Sequence, residues 1–426
     1  MKRFGRQLSK FIQARCYSQE LLEKKSPLTV SGEVNLPVPE YDVQFICNPS
    51  NRDLIANNIS KRNSHGNIDR VLELSKTPES LEFLKEIDKI PNLTDPNVLQ
   101  HETEFFVINQ HGDPPKFNFK PQEFSNLASK LKLMRTDNLG PVTGSRSYIL
   151  IGDLAELEQA LINYTVQELC KLNFQLVSVP DILPSQVIER CGLISDGERK
   201  LVYKLQPHYG GDLSLSGTAE MALAYKLTNR LLNFDELPLK LAAVSRCYRA
   251  EVSGLAEERG IYRVHQFTKV EMFICSSQND SFEIQNEIIK IQEKLFKQLG
   301  LHFKTIDMPP HELGSPAYRK VDIEAWMPGR NQFGEISSCS NCTDYQARRL
   351  GIKYENKDKT ILHAHTLNGT ACAIPRMLIA ICETNQLEDG TIRIPDPLVS
   401  FMNGKKVIET QNFPQIRQFK GKPKLD

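Results

Sequence analysis

Long apolar runs are missing from this sequence. No stretch approaches the roughly eighteen residues that a membrane-spanning helix needs, so no membrane is expected among its partners. Patterned cysteine is missing too. The ten cysteines fall at 16, 47, 170, 191, 247, 275, 339, 342, 372 and 382. That scatter gives no disulfide framework and suits a reducing compartment. Cys339 and Cys342 form the one CxxC, without a second pair or nearby histidines, so a structural zinc is not expected. No Ser/His/Asp arrangement points to a protein nucleophile. His265 is the tempting histidine, but it sits in a strand pattern and reads as structural. Acidic residues are absent from the first 19 positions, which hold Lys2, Arg3, Arg6, Lys10 and Arg15.

Those 19 residues are also amphipathic, with Phe4, Leu8, Phe11 and Ile12 at helical spacing. Basic, acid-free and serine-containing, the segment resembles a mitochondrial transit peptide, with a cleavage neighbourhood at 15–18 and the mitochondrial matrix as destination. A plain basic helix or a nucleic-acid arm is the alternative. Without the segment, 48 basic residues face 52 acidic ones, a net of −4. A chain of that charge is no generic nucleic-acid binder, so any RNA contact must come from a local patch or a partner.

The remaining chain, 40% apolar, is long enough for two domains and a large core. We divide it into a reduced, mostly helical N-terminal domain at 20–135, a catalytic domain at 136–402 and a basic tail at 403–426. Residues 20–50 read as linker, followed by a short helix over Asn51–Lys61. GNIDRVLELSK and ESLEFLKEIDK then predict two short helices, with Pro78 in the first turn of the second. PKFNF and RSYILIG predict strands, and QEFSNLASKLKLM a helix. DLAELEQALINYTVQELCKLNF carries an apolar stripe with one wet face, and the strand QLVSVP follows it, ending at Pro180.

The chemistry concentrates later. Arg246 to Phe273 reads RCYRAEVSGLAEERGIYRVHQFTKVEMF. Tyr248, Ala250 and Val252 alternate with Arg249 and Glu251. Phe267, Lys269, Glu271 and Phe273 alternate with Gln266, Thr268, Val270 and Met272. A period of two on both sides of a charged, small-residue stretch predicts a β-hairpin with a long loop. Its arginines suit phosphate and its glutamates an amine or a metal, although a solvated hairpin with cross-strand ion pairs fits the pattern as well. SGTAE at 216–220 precedes the helical MALAYKLTNRLL, where Thr218 can cap and Glu220 favours the positive helix end. After the single tryptophan in DIEAWMPG, FGEISSCSNCTDYQARR alternates as a strand from Glu335 to Ser338. HTLNGTACAIPRMLIAICETNQLEDGTIRIPDPL at 365–398 turns at Asn-Gly and runs as an apolar helix from Met377, with GTIRIP closing the sheet.

In order and content these stretches resemble the class II aminoacyl-tRNA synthetases. RxE…RGxYRVHQFTKVEMF resembles motif 2 of the seryl-tRNA synthetases, the helix and strand over 153–180 resemble motif 1, and 365–398 resembles motif 3. The likeness is strong over 140–400 and weaker over 50–140. It implies an α+β fold, a six- or seven-stranded antiparallel sheet flanked by helices, acting as a dimer through the motif 1 region. It implies that Thr218, Ala219 and Glu220 recognise serine together with Glu271 and Thr370. Arg249 would grip the α-phosphate of ATP and Arg376 the γ-phosphate, as the catalytic arginines. Ala250 and Glu251 would contact ATP, Glu251 on the adenine side, and Phe267 would stack on adenine. Glu335, Ile336, Ser337 and Ser338 would hold ATP, with Glu335 and Ser338 on Mg²⁺, and the loop Ser253–Arg259 would close over it. Gly217, Thr370 and Pro375 depart from the bacterial pattern; Gly217 and Thr370 match animal mitochondrial members, and Pro375 costs little in a first helical turn. The reaction implied is seryl-adenylate formation, then transfer to mitochondrial tRNA(Ser).

One expected feature is lacking. Family members carry a long N-terminal coiled coil that reaches along the tRNA, and 67–91 has room for two helices of about ten residues, each about 15 Å long. A heterodimer with an arm-bearing synthetase-like subunit would supply the arm. Two other functions stay open: an inactive synthetase-like subunit or RNA-binding module, and a ligase loading an amino acid onto a carrier protein. The first predicts lost phosphate arginines. The second predicts a zinc site.

Overall fold

The computed structural model describes residues 36–101, 104–136, 146–193, 201–206, 211–251 and 260–411. The basic segment at 1–19, the loop Ser253–Arg259 and the tail from 412 lie outside the described residues.

After a single helical turn at Val43–Ile46, three short helices make up most of the N-terminal part: α1 (Arg52–Lys61), α2 (Ile68–Leu74) and α3 (Leu81–Asp88). Asn67 caps α2 by accepting from the Arg70 N–H, and Ser80 caps α3 by accepting from the Phe83 N–H. Pro78 therefore lies in the turn before α3 rather than in its first turn, because Ser80 supplies the cap. Ile55, Ile59, Ile68, Val71, Phe83 and Ile87 bury a small core of their own. At seven and eight residues, α2 and α3 are each only about 11–12 Å long, far short of a coiled-coil arm. The bundle is bolted to the rest of the chain by Arg62, which is buried without a carboxylate partner among the described residues. Its guanidinium donates to the Ala317 carbonyl at 2.8 Å and to that of Gly314. Arg349 adds an ion pair to Asp88 at 3.1 Å.

The main sheet has eight strands: β1 (Phe106–His111), β2 (Gln175–Leu176), β3 (Leu239–Tyr248), β4 (Gln266–Ser276), β5 (Phe303–Asp307), β6 (Arg319–Met327), β7 (Gln332–Asn341) and β8 (His365–Ala373). Their order is β1-β5-β6-β7-β8-β4-β3-β2, antiparallel except for the β2–β3 pair. The count exceeds the expected six or seven because short strands are added at both edges. PKFNF forms no strand: Pro114 and Pro115 just before it lack N–H donors, and the β-branched, aromatic run at 106–108 takes the edge instead. GTIRIP does not close the sheet either. Ile392–Arg393 pairs with Val407–Ile408 as a separate ribbon, which brings the first residues of the basic tail into the fold. There Lys405 reaches Asp153.

Five helices matter to the site: α4 (Asp153–Lys171), α5 (Ala219–Lys226), α6 (Ser281–Gln298), α7 (Tyr345–Leu350) and α8 (Ile374–Thr384). Along α6, Ile284, Ile288, Ile291 and Leu295 fall on one stripe and pack beneath the sheet. Gly369 lets α6 come close, since a Cβ there would stand 2.5 Å from Ile288 Cγ2. Helix α8 starts at Ile374 rather than Met377, with Pro375 in its first turn where its fixed φ suits the helix.

Candidate active site

Two irregularities in the sheet create the site. In β7, Glu335 pairs with Glu324 and Ser337 with Ile323, which leaves Ile336 as an extra residue. Strict alternation would send Glu335 and Ser338 to opposite faces; the bulge turns both towards one cavity. In β8 the register shifts between Thr370 and Cys372. Strands β7 and β8 pair only over Cys339–Asn341 and Leu367–Gly369, then part. Two carbonyls beside the parting need partners. Gln292 of α6 donates to Ser338 O at 2.9 Å and Thr370 O at 3.0 Å, and the Ser337 hydroxyl also donates to Thr370 O.

The cavity at this parting is a cleft that opens to solvent. Arg249, Phe267, Lys269, Glu335, Thr370 and Arg376 line it. Arg249 follows the last residue of β3, so the predicted strand pairing stops at Tyr248 and Gln266, short of Ala250. Val252 lies outside the described residues. The Arg249 guanidinium lies over the Phe267 ring, 5.3 Å from its centroid. Arg376, third residue of α8, donates to Glu335 Oε2 at 3.0 Å and to the Tyr262 carbonyl at 3.1 Å. Burial pushes the Glu335 carboxyl up, but Arg376 beside it, with Lys320 and Arg249 further out, outweighs burial and holds it at about 2. The carboxylate stays ionised while its side chain keeps 40% exposure towards the opening.

Behind Thr370 and Lys269 the site closes. Thr370 stands opposite Glu271 in the β8–β4 register and donates to Glu271 Oε2 at 3.3 Å. The Lys269 ammonium is 2.5 Å from the same oxygen. Thr218 caps α5, its hydroxyl accepting from the Glu220 N–H, and Ala219 is buried beside it. The capping and site readings of this triplet therefore coincide: the cap fixes the turn that aims Glu220. Burial raises the Glu220 carboxyl, and nearby Glu271 raises it further, against Gln346, Lys269 and Asn368. One buried and one part-buried carboxylate against one lysine leave one negative charge in excess, the vacancy a monocation fits.

The expected residues thus gather in two adjoining groups. Ile336 and Ser337 line the cavity as buried residues, and the Glu251 carboxylate is held by Arg263 at 2.9 Å. The Ala250 N–H donates to the Leu201 carbonyl. His265 hydrogen-bonds Tyr203 at 2.9 Å and backs the Arg249 carbonyl, which agrees with a structural role. Sequence reading missed Lys269, Tyr262 and Gln346 as site residues. Lys269 was findable, since it shares the Phe267–Glu271 face; Gln346 comes from a distant helix and left no signal. For a divalent cation, Glu335 and Ser338 offer two hard oxygen donors, and no cluster of three or more acidic, histidine or cysteine ligands exists among the described residues. That donor set fits Mg²⁺ bound mainly through substrate phosphates.

Sheet, bulges and paired arginines together define a class II aminoacyl-tRNA synthetase core. The family model for the tRNA synthetase class II core domain (G, H, P, S and T) matches residues 203–385. The chain is similar to the mitochondrial serine–tRNA ligase of Bos taurus, 41% identical over 329 residues, covering 76% of this chain and 64% of that one. It therefore spans just under two thirds of the length of that relative. The serine–tRNA ligase of Rubrobacter xylanophilus is 38% identical over 323 residues and 75% of each chain. Among solved structures, seryl-tRNA synthetase from Pyrococcus horikoshii complexed with ATP aligns with a TM-score of 0.77 and 29% identity, covering 87% of this chain and all of that one. The cytoplasmic serine–tRNA ligase of Naegleria fowleri in complex with AMP gives a TM-score of 0.72 and 30% identity, covering 81% of this chain and 75% of that one. The chain belongs to the serine–tRNA ligase family.

Proposed function

We propose that this chain is a mitochondrial serine–tRNA ligase that forms seryl-adenylate from serine and ATP and passes the seryl group to tRNA(Ser). The observation that carries the reading is a cavity lined by an ionised Arg376–Glu335 pair whose other lining residues, Thr370 and Lys269, contact a carboxylate group one positive charge short directly behind them. Serine's ammonium supplies that charge at Glu220 and Glu271, and its hydroxyl meets Thr370 and Glu271. Its carboxylate then attacks the α-phosphorus of ATP, and the bond to pyrophosphate breaks. Arg249 and Arg376 oppose the repulsion between the anions and stabilise charge growing on the phosphates. Mg²⁺, held by Glu335, Ser338 and the phosphates, neutralises further phosphate charge when bound. A terminal tRNA hydroxyl next attacks the seryl carbonyl, and AMP leaves. Alanine lacks the hydroxyl that the buried polar groups require, and such sites reject the lacking analogue by about 10⁴.

The mitochondrial relatives and the basic leader support a mitochondrial address, with the matrix as the compartment of the reaction. Motif 1, in α4 and β2, serves as the dimer contact; Leu176 and Ile182 at its end are half exposed, as a covered interface would need. The short α2–α3 pair supports a heterodimer in which an arm-bearing synthetase-like subunit helps hold the tRNA. Of the other readings, an inactive subunit would not retain Arg249, Glu335 and Arg376 in this geometry. A carrier-protein ligase of the zinc branch would need a ligand cluster absent among the described residues. The test is charging of mitochondrial tRNA(Ser) by the purified chain with serine and ATP. Charging by the chain alone supports the ligase and removes the need for a second subunit. Charging only after an arm-bearing subunit is added supports both proposals. Absence of charging and of serine-dependent pyrophosphate exchange would overturn the ligase reading.

A further inference from the structure

Glu220 has an unusual set of neighbours for a part-buried acid. Among the described residues, Lys269 is the cation that acts on it, and Lys269 is already paired with Glu271 at 2.5 Å. The hydrogen-bond partners of Glu220 are instead neutral amides, Asn368 and, most closely, Gln346. Gln346, fully buried on α7, donates from Nε2 to Glu220 Oε1 at 2.6 Å. The other end of that amide is also fixed, because the Thr366 hydroxyl of β8 donates to Gln346 Oε1 at 2.7 Å. Thr366 is itself anchored: its N–H donates to Thr343 O, and its carbonyl accepts from Cys342 N–H. A directed chain therefore runs from β8 through Thr366 and Gln346 to the carboxylate at the start of α5.

We infer that Gln346 is a positioning residue for amino-acid recognition, holding Glu220 in the orientation that receives the substrate's ammonium. The inference rests on the serine-activating reading given above. The residue type follows from the charge balance. An arginine or lysine at 346 would pair with Glu220 and fill the positive vacancy that the ammonium needs. An acid would add a third negative charge to a crowded site. An amide supplies a strong hydrogen bond to an ionised oxygen and leaves the charge unchanged. Its donor end cannot swap with its acceptor end, because that end faces the Glu220 carboxylate and the Cys191 carbonyl, which only accept, while the Thr366 hydroxyl can turn to donate. The same bond favours the ionised form of Glu220 against the burial and repulsion that raise it.

Gln346→Met, close in volume and without a donor, and Thr366→Val, which frees the far end of the amide, separate this role from a purely structural one. Serine-dependent ATP–pyrophosphate exchange is measured with the full chain, varying serine and ATP separately and repeating the serine series from pH 6 to pH 8. Thermal unfolding is followed in parallel. For Gln346→Met we expect the KM for serine to rise about tenfold, the loss of one hydrogen bond to a charged group, with the KM for ATP unchanged within about twofold. The acid limb of kcat/KM for serine moves to higher pH, since Glu220 then takes up a proton more readily. Thr366→Val moves serine KM in the same direction by less. Equal rises in both KM values, or an unchanged serine KM and pH profile, would overturn the inference while leaving the ligase reading intact. If Gln346→Met does not fold, Thr366→Val decides by the same criteria. Wild-type chain without serine-dependent exchange would overturn the ligase reading itself, and this inference with it.

Discussion

The two halves of the site are built in contrasting ways. The arginine half opens to solvent: Arg249 just past β3, Arg376 in the first turn of α8, and Glu335 beside a bulge with its side chain 40% exposed. The carboxylate half is closed: on β4 the Glu271 and Lys269 side chains keep only 3% and 8% exposure, and Glu220 joins them from the first turn of α5. Arg376–Glu335 pairs off one arginine of the first half before any ligand arrives, and Arg249 adds a second positive charge against the one carboxylate. The second half is the reverse, and holds two acids against one lysine. An open half with positive charge to spare can take in and release a large polyanion. A closed half short of positive charge waits for one small cation and excludes water from around it. Phosphate binding and selectivity are thus divided between the two halves.

The sharpest way to break the division is Arg376→Ala. It removes a donor to the phosphates and leaves Glu335 without its partner. The exchange rate should fall by about 10² to 10³, with the KM for serine little changed, as steady-state kinetics would show. A large rise in serine KM would mean that the halves are not separate. Glu271→Gln should do the reverse. Losing a charged partner for the ammonium raises the KM for serine by about 10- to 100-fold. Relief of repulsion with Glu220 is opposed by the loss of the Lys269 ion pair, so the melting temperature should change little; a large fall would argue that Glu271 supports the fold instead.

The pH dependence sharpens the same contrast. Glu220 is raised by burial and by Glu271, so it takes up a proton first as pH falls and loses the charge that holds an ammonium. Glu335, held at about 2, stays ionised over the whole range. Lowering the pH at saturating ATP should therefore raise the KM for serine at a higher pH than an ordinary carboxylate would, and the rise should disappear in Glu220→Gln. The smallest effect is expected beneath both halves. Gly369→Ala would press on Ile288 and Gln292, which support the parted strands, and overpacking of this kind costs about 1–3 kcal/mol. Thermal unfolding reads that loss, and both KM values should shift together because the support is shared.

Much of this was legible in the chain itself. The Phe267–Glu271 face followed from a period of two, and β4 carries it as expected. Thr218 followed from capping chemistry, and Pro375 from its tolerance in a first turn. What stayed hidden was irregular or distant. Alternation alone separates Glu335 from Ser338, and only the extra residue at Ile336 reunites them. The edge strand at 106–111 was overlooked for PKFNF because pairing depends on a partner, β5, almost two hundred residues later. Gln346 and Thr366 lie twenty residues apart and some 130 from the acid they serve, so no spacing could announce them.

The central claim is that the two halves act together on one small substrate. Its most direct test is ATP–pyrophosphate exchange by the purified chain with serine, alanine or threonine as the only amino acid. The account predicts exchange with serine, and exchange with alanine and threonine lower by orders of magnitude. Equal exchange with alanine, or none with any of the three while ATP still binds, would contradict it.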